Sequence, residues 1–225
     1  MALELLERTR HSGLRIDIGN AGDRHFVQLV VDEFLPASLD YPILFTKHPQ
    51  SGAFYPGAVM GLEAGRNLLT QGGRLSGYRP ADLVRQGVFL TADGIAVDPE
   101  DPVWSPAGDP LFDPQGEATA ALKRVQAAMH MLKTGLPETE AFIARLLANQ
   151  LLEPIDIALD FDDGGRLRLN GLYSISLDRL HALSDAAALA FFRQGDLQLI
   201  YAQTNSVRHL RRLAAIRNAR LLEGQ

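Results

Sequence analysis

The chain has 225 residues, 46% of them hydrophobic and 22% charged, with a formal net charge of −5 and no cysteine. This is the composition of an ordinary globular protein, long enough to bury a core as one large domain or two small ones. It excludes a disulfide framework, a thiolate metal site and a cysteine nucleophile, and its acidic balance argues against a nucleic-acid partner, whose phosphates call for cations.

The opening MALELLERTRHSGLRIDIGN scatters acids and arginines among its leucines. A secretory signal needs an uninterrupted apolar stretch, so none is expected here, and no apolar run is long enough for a transmembrane segment. The expectation is a soluble, cytoplasmic protein. Residues 1–24 end in the turn cluster Gly19-Asn-Ala-Gly-Asp23 and read as a loose N-terminal lead-in to a domain over 25–222.

Alternation predicts a strand over His25–Val31. A short helix or turn containing Pro36 follows over Glu33–Leu39, then a strand over Tyr41–Phe45. Gly57–Glu63 and Asn67–Thr70 read as a hairpin turning at Gly65. Pro80–Gln86 reads as a short helix closed by Gly87. Asp93-Gly94 joins a second hairpin, Val88–Thr91 with Gly94–Val97. Residues 98–116 hold four Asp-Pro pairs, which interrupt helix and strand alike, and this is the natural place for a subdivision.

Glu117–Lys133 sets Leu122, Val125, Met129 and Leu132 on one helical face. A second helix is expected from Pro137 to Gln150, with Phe142, Ile143, Leu146 and Leu147 inward. Ile155–Phe161 and Leu167–Ile175 read as a hairpin around Asp162-Asp163-Gly164-Gly165. Ser176 and Ser184 are expected to cap short helices. A strand over Leu197–Ala202 and a helix from Asn205 or Ser206 to about Leu222 complete the chain. The order predicts an α+β fold of mixed, largely antiparallel hairpins packed with several helices, as one compact domain or two tightly packed halves.

No glycine-rich dinucleotide or phosphate loop, serine elbow or His-Glu-x-x-His occurs. The polar cluster with most to offer a ligand is Arg66-Asn67 with Tyr78-Arg79. A guanidinium fork fits a carboxylate, and Asn and Tyr can complete such a pocket; the same arginines can equally tie down loops of their own chain. Asp160 and Asp162 at a strand end could hold a divalent cation, although the Asp-Asp-Gly-Gly run is also what a hairpin turn requires, and the turn is the simpler reading. His25 and His48, with Glu33, are a further alternative for a metal, but no two histidines stand at ligand spacing. Neither a metal nor a cofactor is expected. The last helix sets Arg208, His209, Arg211, Arg212, Arg217 and Arg220 against Val207, Leu210, Leu213 and Leu221. Such a helix either packs on the domain or docks on an anionic surface; packing is the expectation.

Several blocks together carry a family resemblance: FLPASLDYPILF at 34–45, VMGLEAGRNLL at 59–69 and GYRPADLVRQGVFL at 77–90. IAVDPEDPVWS at 95–105, LFD at 111–113, LNGLYSISLDRLHALSD at 169–185 and IYAQ at 200–203 continue it. In order and spacing, over roughly 25–213, the chain resembles the SapC family of bacterial proteins. The resemblance implies an accessory or binding protein serving a surface-layer or outer-membrane system, with a protein partner or small ligand, and with a homo-oligomer allowed. It carries over no catalytic residue. The alternative is an enzyme modifying a small molecule or peptide, with or without a metal. Two departures stand out: Leu177-Asp178-Arg179, where relatives carry an acidic–lysine pair, and Gln203, where they tend to have histidine. With no thiol in the chain, its melting temperature is expected to be the same with and without dithiothreitol; a reductant-dependent shift in scanning calorimetry would contradict this.

Overall fold

The computed structural model describes residues 3–155, 157–162 and 164–223. Two short strands come first, β1 (Glu4–Leu5) and β2 (Arg15–Ile16), then β3 (Phe26–Gln28). A 3-10 turn over Val31–Glu33 runs into α1 (Phe34–Ala37), followed by β4 (Ile43–Lys47) and β5 (Phe54–Val59). Next are β6 (Thr70–Gln71), β7 (Arg74–Leu75), α2 (Ala81–Val84), β8 (Val88–Thr91), β9 (Gly94–Val97) and β10 (Asp109–Pro110). The long helix α3 (Ala120–Ala148) precedes β11 (Leu152–Pro154), β12 (Ile157–Asp160), β13 (Arg166–Leu169) and β14 (Tyr173–Ile175). Helices α4 (Leu177–His181), α5 (Asp185–Gln194), α6 (Asp196–Ser206) and α7 (His209–Glu223) close the chain. The fold is mixed α+β, and the strand pairings among the described residues are antiparallel. By contacts the chain divides into two units: Met1–Gly22 with Thr70–Thr134, and Asp23–Leu69 with Gly135–Gln225.

In the first unit β9 lies between β1 and β8, and β2 pairs with β10. Residues 3–22, expected as a loose lead-in, therefore contribute two paired strands. The Asp-Pro segment belongs inside this unit. Val103 and Leu111 are buried with Ile16, Val88 and Val97 against Leu122 and Val125 of α3. Its aspartates act as local acceptors. The Asp98, Asp101 and Asp113 carboxylates take the amides of Glu100, Val103 and Glu117 at 3.2, 2.8 and 2.8 Å. At Pro99, Pro102 and Pro114 a missing donor thus stands beside an aspartate that supplies an acceptor, and the segment is irregular yet anchored.

The second unit is built on a five-stranded sheet of order β11-β14-β4-β5-β3. Phe45 of β4 meets Phe34 of α1 and, through it, Phe142 of α3, as edge-on pairs 6.4 and 6.0 Å apart. All three rings are fully buried. Helix α3 approaches this core closely at Gly135, where a β-carbon would lie 2.8 Å from the Val30 side chain. Four residues on, the Thr139 hydroxyl donates to the Gly135 carbonyl at 2.6 Å and accepts the Val31 amide at 3.0 Å. These tertiary contacts carry the helix through Pro137, where the sequence predicts a fresh start.

Helix α6 replaces the strand expected over Leu197–Ala202. Asp196 in its first turn is buried and held by a two-pronged bond from Arg145, Nε to Oδ2 at 2.6 Å and Nη2 to Oδ1 at 2.8 Å. The hydrogen bond to this carboxylate raises the arginine pKa above its ordinary value. One and two turns further, Ile200 and Gln203 are fully buried, a helical period hidden under an apolar run.

Gln203 then enters the sheet itself. Strands β14 and β4 pair through Tyr173 and Phe45. Two residues further along each strand the Gln203 amide stands between the strands. Its Nε2 donates to the Ile43 carbonyl at 2.8 Å, and its Oε1 accepts the Ile175 amide at 3.1 Å. The Ser206 hydroxyl accepts the Ile43 amide at 2.8 Å. The side chains of α6 thereby satisfy strand groups that the splayed backbones leave open.

Helix α7 is packed. Leu210 and Leu213 are buried, and the His209 ring meets the Ser38 carbonyl at 3.0 Å. Arg220 donates to the Leu68 carbonyl at 2.9 Å, while Arg208, Arg211 and Arg212 are exposed.

Two stability experiments follow from this unit. Gln203→Leu strands two buried backbone groups, each worth about 1–3 kcal/mol, and is expected to lower the unfolding free energy by about 2–4 kcal/mol in urea titrations. Gln203→His retains one donor and one acceptor and should recover more than half of that loss; equal losses would contradict the bridging role. Ending the chain at Val207 removes Leu210 and Leu213, each worth about 1.5–3 kcal/mol when buried. The shortened chain is expected to aggregate or melt well below the parent, and an unchanged melting curve would refute the packed helix.

Candidate functional site

One face of the five-stranded sheet carries the helices; the other carries a groove. On the groove face, strand alternation lines up Tyr55, Gly57 and Val59 of β5, and the register sets Thr46 of β4 beside Tyr55 and Phe26 of β3 beside Val59. Gly57 shapes this floor. A β-carbon there would lie 2.2 Å from the Phe26 ring, so the missing side chain lets that ring lie across the strand. Phe26 and Tyr55 meet edge to face, 5.8 Å between centroids.

The walls come from two segments brought over that floor. Residues Gly61, Leu62 and Ala64 form one, and Leu167–Asn170 with Leu172, from β13 and the connection to β14, form the other. The enclosed volume is about 560 Å³. Arg217 of α7 holds both walls. Its guanidinium lies over the Phe161 ring, 3.6 Å from the centroid, and its Nε donates to Glu63 at 3.2 Å. A stacked cation fixes the turn end of the β12–β13 hairpin while the same group anchors the opposite loop. The Thr46 hydroxyl donates to the Gly171 carbonyl at 3.0 Å and closes one end.

His25 is the titratable group at the other end. Its Nδ1 accepts the Gly65 amide at 3.4 Å, which puts the proton of the neutral ring on Nε2 as a donor. The described lining contains no carboxylate; its polar members are His25, Thr46, Tyr55, Arg168 and Asn170. Its chemistry is that of a binding surface, with an aromatic floor and a few polar groups at the rim.

Of the residues singled out from the sequence whose side chains are described, only His25 lines this groove. Arg66 is exposed and 3.6 Å from Glu63; the adjoining cleft, shared with Arg217, has no room for a water molecule. Asn67 is buried, its Oδ1 accepting the Leu69 amide at 2.9 Å and its Nδ2 facing the Met60 sulfur at 3.7 Å. Both belong to the second unit, whereas Tyr78 and Arg79 belong to the first. There Tyr78 is half-buried, and Arg79 donates to the carbonyls of Gly19 and Asn20 at 3.1 and 2.6 Å.

The aspartate candidates sit in the β12–β13 hairpin, where the Phe161 amide donates to Gly165 and the Gly164 amide to Phe161, both at 2.9 Å. Asp162 is exposed. Of Asp160 only the backbone is described, and Asp163 lies outside the described residues. His48 is exposed at the edge of Tyr55, and Glu33 is buried with a carboxylate oxygen accepting the Val30 amide at 3.0 Å. Among the described residues no three His, Asp or Glu converge as a metal site would require. The floor residues Phe26, Thr46 and Tyr55 carry no motif; what announces them is alternation within β4 and β5, visible only once the register is known.

No curated protein and no solved structure matches the chain. The family model for SapC matches residues 6–213 of the 225. That span takes in the sheet, the hairpin and the loops that enclose the groove, and the chain belongs to the SapC family.

Proposed function

We propose that the protein is an accessory binding protein serving a bacterial surface-layer or outer-membrane system, and that it works by holding a ligand in the groove between sheet and hairpin. The groove carries this reading. Its volume of about 560 Å³ falls within the roughly 300–1,000 Å³ of ordinary ligand sites. Phe26 and Tyr55 offer apolar area, and the His25 Nε2–H, the Tyr55 hydroxyl and the Asn170 amide offer orientation. Among the described residues the lining holds no carboxylate, and that part of it suits a neutral or anionic ligand.

Native mass spectrometry of the full chain isolated from its own host tests the proposal. A co-purifying ligand is expected, and it should be lost in Ala64→Trp, which fills the groove from an exposed wall position, and weakened in Tyr55→Ala. Both variants should melt within a few degrees of the parent. Protein that carries no ligand, or a ligand retained by both variants, would overturn the reading.

A further inference from the structure

The two edges of the five-stranded sheet are not alike. At the β11 edge, the amides of Ser176 and Ile155 bond the carbonyls of Leu151 and Leu172, which fixes Leu151, Glu153 and Ile155 as the residues facing β14. Leu152 and Pro154 face outward. Pro154 has no N–H, so this edge offers a single outward donor, a common way of blunting an edge strand.

The β3 edge has no such protection. The Leu29 amide bonds the Pro56 carbonyl at 3.0 Å and the Met60 amide bonds the His25 carbonyl at 2.7 Å, so His25, Val27 and Leu29 face β5. Phe26 and Gln28 face away. Among the described residues, their outward N–H and C=O groups meet no hydrogen-bond partner. Nothing in Phe26-Val27-Gln28 is charged or proline, and neither Phe26 nor Gln28 is fully buried. Two donors and two acceptors, at the alternate spacing of a strand, border the end of the groove that His25 and Phe26 line.

We infer that β3 is the docking edge for an extended peptide segment, which adds a sixth strand to the sheet and sets alternate side chains on the groove face. This rests on the binding reading above and names the ligand class. The backbone groups of Phe26 and Gln28 supply sequence-independent affinity. The Phe26–Tyr55 floor selects what projects beside it, and the described lining, which holds no carboxylate, favours uncharged or acidic side chains there.

The test uses the full chain and a phage-displayed library of random dodecapeptides. Enriched peptides are expected to bind with an affinity that falls at least tenfold when backbone amides are N-methylated at alternate positions, in one phase only. Gln28→Pro removes one outward donor and no bond to β5, and should cost the same tenfold. The peptide measurement stands even if that variant folds poorly. No enriched peptide, or affinity indifferent to methylation in both phases, overturns strand addition. If such a methylation-insensitive peptide is still displaced by Ala64→Trp, the groove reading survives and only the edge assignment falls. A self-associating chain that Gln28→Pro disperses would give the edge to a second copy instead, and would likewise overturn the peptide assignment.

Discussion

The second unit depends on one buried amide. Strands β4 and β14 come from distant parts of the chain and pair at Phe45 and Tyr173. Two residues on along each strand, the Gln203 side chain takes the place of a peptide group, receiving the Ile175 amide and donating to the Ile43 carbonyl. A neutral imidazole presents the same pair of functions, one donor and one acceptor. A histidine at this position would therefore fit the same structural bridge. The difference between the two residues concerns how the sheet is closed, since Gln203 is fully buried.

Everything that shapes the groove is downstream of that closure. β14 follows directly from Asn170–Leu172, and β4 supplies Thr46. Arg217 then fixes the hairpin and the loop after β5 against each other through Phe161 and Glu63. The site is thus a consequence of long-range ties between elements, with aromatic surface at its floor and polar groups at its ends.

The local rules of the sequence reach some of this and stop at a definite point. The Val88–Val97 hairpin is legible from the Asp93-Gly94 signal, and the faces of α3 from the spacing of Leu122, Val125, Phe142 and Leu146, although Leu147, expected inward, is exposed. The continuity of α3 through Pro137 is not, because it rests on Val31 and Val30 meeting Thr139 and Gly135. Leu197–Ala202 reads as a strand because its apolar run is short and unbroken. Its helical state is decided by Arg145 reaching Asp196 and by Ile43 and Ile175 reaching Gln203. The groove is hidden for the same reason. His25 could be named as a residue, but the partnership of Phe26, Tyr55 and Thr46 appears only when β3, β5 and β4 are in register.

The strand order also bears on how the molecule is made. During synthesis β3, β4 and β5 emerge well before β14 and the helix bearing Gln203. Until then the free side of β4 presents Ile43, Leu44 and Phe45, each fully buried in the finished protein. Closing so long an intervening loop is entropically costly and slow relative to local pairing. Nascent chains on one polysome therefore display an adhesive apolar strand until β14 and Gln203 arrive. Pro42 and Lys47, immediately before it and at its end, are the kinds of residue that keep such strands from joining across chains. The sheet's delayed closure is thus guarded at both ends of its central strand.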